Sequence, residues 1–151
     1  LGAMEEASKI GSLTALITCN LPSPMSNLNN VDHLIPLIVG PEVITGSTRM
    51  KAGTATKMVL NMISTTLMIK LNKTYNNLMV DLNVSNNKLW DRGIRIVSYL
   101  TGLNYDEAIN ILKTAKGDVK VAVLMNNKNY DYKRSVEILD SFNGSLKKSL
   151  D

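Results

Sequence analysis

The chain has 151 residues, 44% of them apolar and 20% charged, with 17 Lys and Arg against 13 Asp and Glu for a formal net charge of +4. That length fits one domain, or one domain with a small appendix, and is enough to bury a core without disulfides; the single cysteine, Cys19, rules out an internal one. No run approaches the ~20 apolar residues of a membrane span, and the mild, dispersed basicity suits a small anionic ligand rather than nucleic acid.

Aromatic residues make up only 5% of the chain, so its core must be built from Leu, Ile, Val, Met and Ala. No basic-then-apolar leader is read at the start, and the expected location is the cytoplasm. Matches to the glycosylation pattern at Asn72, Asn83 and Asn143 are read as chance in an Asn-rich chain.

Leu1 to Ile10 reads as a helix already under way: Leu1, Met4, Ala7 and Ile10 share a face, Gly11 can stop it, and no capping residue precedes it. "SLTALITCN" (12–20) reads as a strand buried on both faces. "LPSPMSNLNNVD" (21–32) is a loop with one helical turn, and "HLIPLIVG" (33–40) is a second buried strand. Thr48 to about Leu71 is expected as the longest helix, roughly 35 Å long. Its polar stripe of Lys51, Thr54, Lys57, Asn61 and Thr65 is narrow, which predicts a mostly buried helix.

The segment 75–82 is too short to assign. Ser85 or Asn86 can cap a helix to Leu100, ended by Gly102. Short helices are expected over 106–116, 118–125 and 131–142, punctuated by Gly117 and Gly144, with a last turn from Ser145. No strand pattern follows Leu82. The rhythm is α/β followed by an all-helical appendix: a partial α/β domain over 1–84, a connecting helix over 85–103 and a small helical domain over 104–151.

The segment "GPEVITGSTRMKAGTATK" (40–57) concentrates turn residues, hydroxyls and cations in front of the long helix. A helix start offers free N–H groups and partial positive charge. With Gly46, Ser47 and Thr48 at that start and Arg49 and Lys51 one turn in, the site suits phosphate or carboxylate. The alternative is that Ser47 or Thr48 merely caps the helix and both cations are solvated. A nucleotide-hydrolysing P-loop does not fit, because five residues separate Gly40 from Gly46 and Ser47 follows.

The run "GPEVITGSTRMKAGTATKMVLNM", followed by "NLMVDL" and "SNNKL", closely resembles the N-acetylmuramic acid 6-phosphate etherase family, which shares this signature with the glucokinase regulatory protein. The likeness is dense at Gly40 to Lys57 and weakens in the last third. It implies the carboxyl-terminal part of a sugar-isomerase domain, a parallel sheet flanked by helices, followed by a small helical domain. It also implies that the start of the chain enters that sheet domain part-way. The phosphate loop and the catalytic glutamates are then expected upstream of Leu1, and the chain is expected to be inactive alone.

The reaction the resemblance implies removes D-lactate from carbon 3 of the sugar by elimination and water addition, with carboxylates as acid and base. Neither cofactor nor metal is expected; His33 is the only histidine and Cys19 stands alone, so no zinc set can be assembled. The substrate-binding residues implied are Glu42, Gly46, Ser47, Thr48, Arg49 and Lys51. Glu42, at a strand's carboxyl end, is expected to bind or support rather than catalyse. Arg49 and Lys51 are expected to face their own pocket or that of a partner in a homodimer. His33 is read as an edge residue, with ring opening as the alternative role. The methionines of 58–68 are read as core filler, and Trp90, Leu89 and Ile94 as packing the appendix against the sheet. Lys147 and Lys148 are read as solvated.

The expected ligand is a phosphorylated amino sugar, with no nucleic acid or membrane partner. The alternative function is a non-catalytic sugar-phosphate-binding regulator resembling the glucokinase regulatory protein. A further alternative is a folded, inactive product that associates through an unpaired sheet edge.

Overall fold

The computed structural model describes residues 2–21, 28–82 and 84–151. Leu1, the 22–27 part of the expected loop and Asn83 lie outside them. The chain forms two compact units, Leu1–Ser64 and Thr65–Asp151. Together they make a mixed α/β chain with one small parallel sheet and, among the described residues, seven helices.

In the first unit, α1 (Gly2–Lys9) is followed by β1 (Ala15–Thr18) and β2 (His33–Pro36). The strands pair in parallel, Ala15 opposite His33 through Thr18 opposite Pro36. Thr14 fixes this register from below. Its amide donates to Asp32 Oδ2 at 2.7 Å, and its hydroxyl lies 2.7 Å from the Asn30 carbonyl and accepts the Asp32 amide at 3.0 Å. The Thr14 amide and hydroxyl hold the Asp32 carboxyl below its ordinary range.

Both strands are shorter than expected and neither is buried: their residues are half-buried or exposed. A strand is buried on both faces only when layers cover it, and among the described residues this sheet has two strands.

The long helix, α2 (Lys51–Lys70), also departs from expectation. It starts three residues later than Thr48 and contains no buried residue. Met62 is 65% exposed and Leu67 51%. Apolar composition shows that a surface can be covered, not that it is.

The second unit is built differently. A hairpin of β3 (Thr74–Tyr75) and β4 (Leu78–Met79) occupies the unassigned segment. Five helices follow: α3 (Asn87–Thr101), α4 (Tyr105–Thr114), α5 (Val119–Lys128), α6 (Tyr132–Ser141) and α7 (Leu146–Leu150). Each begins at a side-chain cap that satisfies an otherwise orphaned N–H. Asn86 accepts from Leu89, Asn104 from Glu107, Asp118 from Val121, Asp131 from Arg134 and Ser145 from Lys148. At α4 the Glu107 carboxylate returns the bond to the Asn104 amide at 2.9 Å, a complete capping box.

The core sits around α5, whose residues 119–124 are all buried. Helices α3, α4, α6 and α7 pack on it. The segment expected as a connector, 85–103, contributes Ile94, Ile96 and Val97 to this core, and Trp90 packs against it half-buried.

Lys120 is the charged member of the buried run, 7% exposed. Its ammonium lies 3.6 Å from Asp81 Oδ1 and donates to the Gly144 carbonyl at 3.2 Å, while Lys73 pairs with the other Asp81 oxygen. Burial pushes the Asp81 carboxyl up, but Lys73 and Lys120 together carry it below its ordinary range.

Gly117 holds the turn into α5 at φ 84°, and a Cβ there would stand 2.5 Å from Val84 Cγ2. Gly117→Ala therefore combines left-handed strain with a clash, and is expected to destabilise the chain by about 2–4 kcal/mol, read as a fall in urea midpoint. Asp81→Asn leaves Lys120 buried against a neutral group and is expected to cost about 1–3 kcal/mol near neutral pH, below the figure for a fully buried pair because Asp81 is partly exposed. Since the folded carboxyl titrates below the ordinary 3.8, its contribution is present above that value and lost as pH falls through the folded one. The difference between wild type and variant should thus shrink in acid, as unfolding curves at several pH values would show.

Candidate functional site

The loop from β2 to α2 carries the residues singled out in the sequence. Gly40 and Gly46 take positive φ, 71° and 81°, which lets the loop reverse twice in a few residues. Between Ile44 and Met50 the backbone closes on itself. Ser47 N donates to the Ile44 carbonyl at 2.9 Å, Thr48 N to that of Gly46 at 3.0 Å and Met50 N to that of Ser47 at 3.1 Å. Gly46 and Ser47 thus shape a turn, and the helix begins only after it.

The first amides of α2 are not open. Glu42 spans them: Lys51 N donates to its Oε2 at 2.9 Å and Ala52 N to its Oε1 at 3.0 Å. A carboxylate at a helix start is favoured by both the orphaned amides and the dipole. The Ala52 and Lys51 amides hold the Glu42 carboxyl below its ordinary range. Lys51 folds back, its ammonium donating to the Pro41 carbonyl at 2.9 Å. Glu42 therefore caps the helix from nine residues upstream, a role that the alternative reading gave to the Ser47 or Thr48 hydroxyl, and the amides expected to be free for an anionic ligand are taken by this carboxylate.

Two open hollows flank this cap. One, of about 470 Å³, lies at the carboxyl end of β1 and takes Thr18, Cys19 and Asn20 together with Gly40, Glu42 and Thr48. That edge is where open α/β sheets bind ligands. Its polar groups are hydroxyls, an amide and a carboxylate, a set that suits a polyhydroxyl compound. Cys19 ties the strand end to α2: its thiol donates to the Ala52 carbonyl at 3.5 Å and lies 3.4 Å from Thr56 Oγ1.

The second hollow, of about 590 Å³, is lined by Arg49 and Lys51 and by Val39, Val43, Met50 and Met58. The six singled-out residues are therefore divided: Glu42 and Thr48 in one hollow, Arg49 and Lys51 in the other, Gly46 and Ser47 in the turn between.

Thr18 and Asn20 line the first hollow without having been singled out. The usable signal was their place at a strand's carboxyl end, which sequence pattern locates only to within a few residues. His33 opens β2 at the opposite, amino end of the strand pair. Among the described residues, no group of three or more His, Cys, Asp and Glu is placed to hold a metal ion, and no helix is long and apolar enough to cross a membrane.

Glu42→Ala should uncover the Lys51 and Ala52 amides. Their hydrogen exchange is expected to quicken at least about fivefold, with Glu42→Gln intermediate. Because the folded Glu42 carboxyl titrates below the ordinary 4.5, the protection is present above that value and is lost as pH falls through the folded one. Unchanged exchange at both amides in Glu42→Ala would show that the cap does not hold the helix start.

A sequence profile for the C-terminal lid domain of glucokinase regulatory protein matches residues 76–121. The N-acetylmuramic acid 6-phosphate etherase of Bacillus subtilis (strain 168) is 49% identical over 99% of this chain and 49% of its own length. That of Bacillus pumilus is 45% identical over the same shares, and that of Clostridium botulinum (strain Hall) 48% identical over 97% of this chain and 48% of its own. The chain spans about half the length of these relatives. Over nearly its whole length the chain is thus similar to one half of N-acetylmuramic acid 6-phosphate etherases, at 45–49% identity.

Proposed function

We propose that the chain forms the carboxyl-terminal part of an enzyme that cleaves the D-lactyl ether of N-acetylmuramic acid 6-phosphate. The products are N-acetylglucosamine 6-phosphate and D-lactate, and the setting is recycling of cell-wall amino sugars in the cytoplasm. The observation that carries this is 45–49% identity to named etherases over 97–99% of the chain. In this reading residues 1–84 belong to a sugar-isomerase domain, 85–103 connect and 104–151 form a small helical domain. The enzyme works as a homodimer.

The exposed apolar residues of α2 support the reading. Apolar surface of this extent marks a face that is covered in the working protein, and the part of the relatives that this chain does not match supplies such a cover. The acid and base that remove the proton beside the open-chain aldehyde and help lactate leave belong to that part. This chain contributes binding. Glu42, while capping α2, keeps free lone pairs for sugar hydroxyls; Gly46, Ser47 and Thr48 bring the backbone close to the ligand; Arg49 and Lys51 supply positive charge.

The test is lactate release from N-acetylmuramic acid 6-phosphate. The chain alone is expected to release none. The chain fused to the part of the Bacillus subtilis relative that it does not match is expected to release lactate and to bind the phosphosugar. A fusion that binds the phosphosugar yet frees no lactate would overturn the lyase. That outcome would favour a second reading, a non-catalytic sugar-phosphate-binding regulator, which the profile match at residues 76–121 supports.

A further inference from the structure

Arg49 is the unusual member of the second hollow. It is exposed, and no ion pair or hydrogen bond joins it to another described residue. Around it the hollow is lined mainly by the methyl-bearing side chains of Val39, Val43, Met50, Ala55 and Met58, with Lys51 and Thr54 as its other polar members. The neighbouring donors are engaged within the loop, the Lys51 ammonium by one of its three N–H groups. Lys51 points its ammonium at the Pro41 carbonyl, the Lys51 and Ala52 amides serve Glu42, and the Ser47, Thr48 and Met50 amides close the turn.

A phosphate dianion, with three strongly accepting oxygens, asks for more donors than this mainly apolar wall offers beside Arg49 and Lys51. A carboxylate is well served, because its two oxygens match the guanidinium fork. An apolar wall beside the fork adds preference for a carboxylate that carries a small hydrocarbon group. Glu42 also repels a second anion from the helix start, which leaves the Arg49 side of the cap as the place for negative charge.

We propose that Arg49 binds the carboxylate of the substrate's lactyl group, with the lactyl methyl against Val39 and Met50, and so distinguishes the lactyl-bearing sugar from the lactyl-free product. This rests on the etherase reading and assigns to Arg49 the carboxylate rather than the phosphate. Arg49 is then a specificity residue, and its loss should be felt by one ligand and not by the other.

The experiment uses the lactate-releasing fusion and two sugars that share the phosphate but differ in the lactyl group. In Arg49→Met the KM for N-acetylmuramic acid 6-phosphate is expected to rise roughly 10- to 100-fold. The inhibition constant of N-acetylglucosamine 6-phosphate should stay within about twofold, and Arg49→Lys should fall between for the lactyl sugar alone. Equal weakening of both sugars would assign Arg49 to the phosphate and overturn the proposal, as would no change in either. If Arg49→Met fails to fold, Arg49→Lys decides by the same criterion: selective loss of the lactyl sugar supports it, and any other pattern overturns it. A wild-type fusion that frees no lactate defeats the etherase reading itself, a result distinct from any of these.

Discussion

The Glu42 carboxylate across the amides of Lys51 and Ala52 is the contact on which the candidate site depends. It joins a loop to the start of a 20-residue helix. Closing it requires the chain to double back between residues 42 and 51, and the positive-φ glycines make that path available. Both hollows take walls from this loop. The same contact decides what kind of anion site can exist here. A helix start with open amides would attract phosphate through its backbone; one already holding a carboxylate leaves anion recognition to side chains.

The two units are held by different means. In the second, the helices α3 to α7 are started by local caps and closed over a continuous apolar core around α5. Its one deeply buried cation among the described residues, Lys120, is matched by Asp81 and a carbonyl. In the first, α2 buries none of its side chains fully, and order comes from polar tethers: Thr14 to Asp32, Cys19 to Ala52 and Thr56, Glu42 to α2. Hydrogen bonds of this kind are individually modest in water but strongly directional, so they specify geometry more than they add stability.

This difference also explains what the sequence disclosed. Caps act over three residues, so Asn86, Asp118 and Asp131 announced the helices of the second unit, and Gly102 and Gly117 announced their ends. Asn104 was passed over for Asp106 because both are good helix-start residues and only the backbone distinguishes the cap from the first turn. The parallel α/β character of the first unit was legible from its two apolar runs. Its exposure was not, since Leu67 and Met62 look the same in sequence whether or not a layer covers them. The start of α2 was misplaced for a related reason. Ser47 and Thr48 have the chemistry of a cap, whereas the residue that caps lies nine positions upstream and reaches the helix only once the loop has closed. The site residues were legible as a set, but their division between two hollows was not, because that division follows from which side of the cap each one leaves the backbone.

The polar tethers have a consequence for binding. A site whose walls form only when apolar surfaces meet must order its loop and bind its ligand in one event, and the ordering subtracts from affinity. Here the loop geometry is fixed by contacts internal to the first unit: the turn from Ile44 to Met50 closes through backbone hydrogen bonds, and Glu42 locks it to the helix. Covering the apolar face of α2 then need not build the recognition surface, only exclude water from it. Excluding water strengthens a lone guanidinium's grip on a carboxylate by lowering the effective dielectric around the pair. Under the proposed role, an Arg49 with no partner among the described residues, in a mainly apolar hollow, is a weak anion site while open and a strong one once enclosed, and selectivity for the acid-bearing ligand should rest on that enclosure.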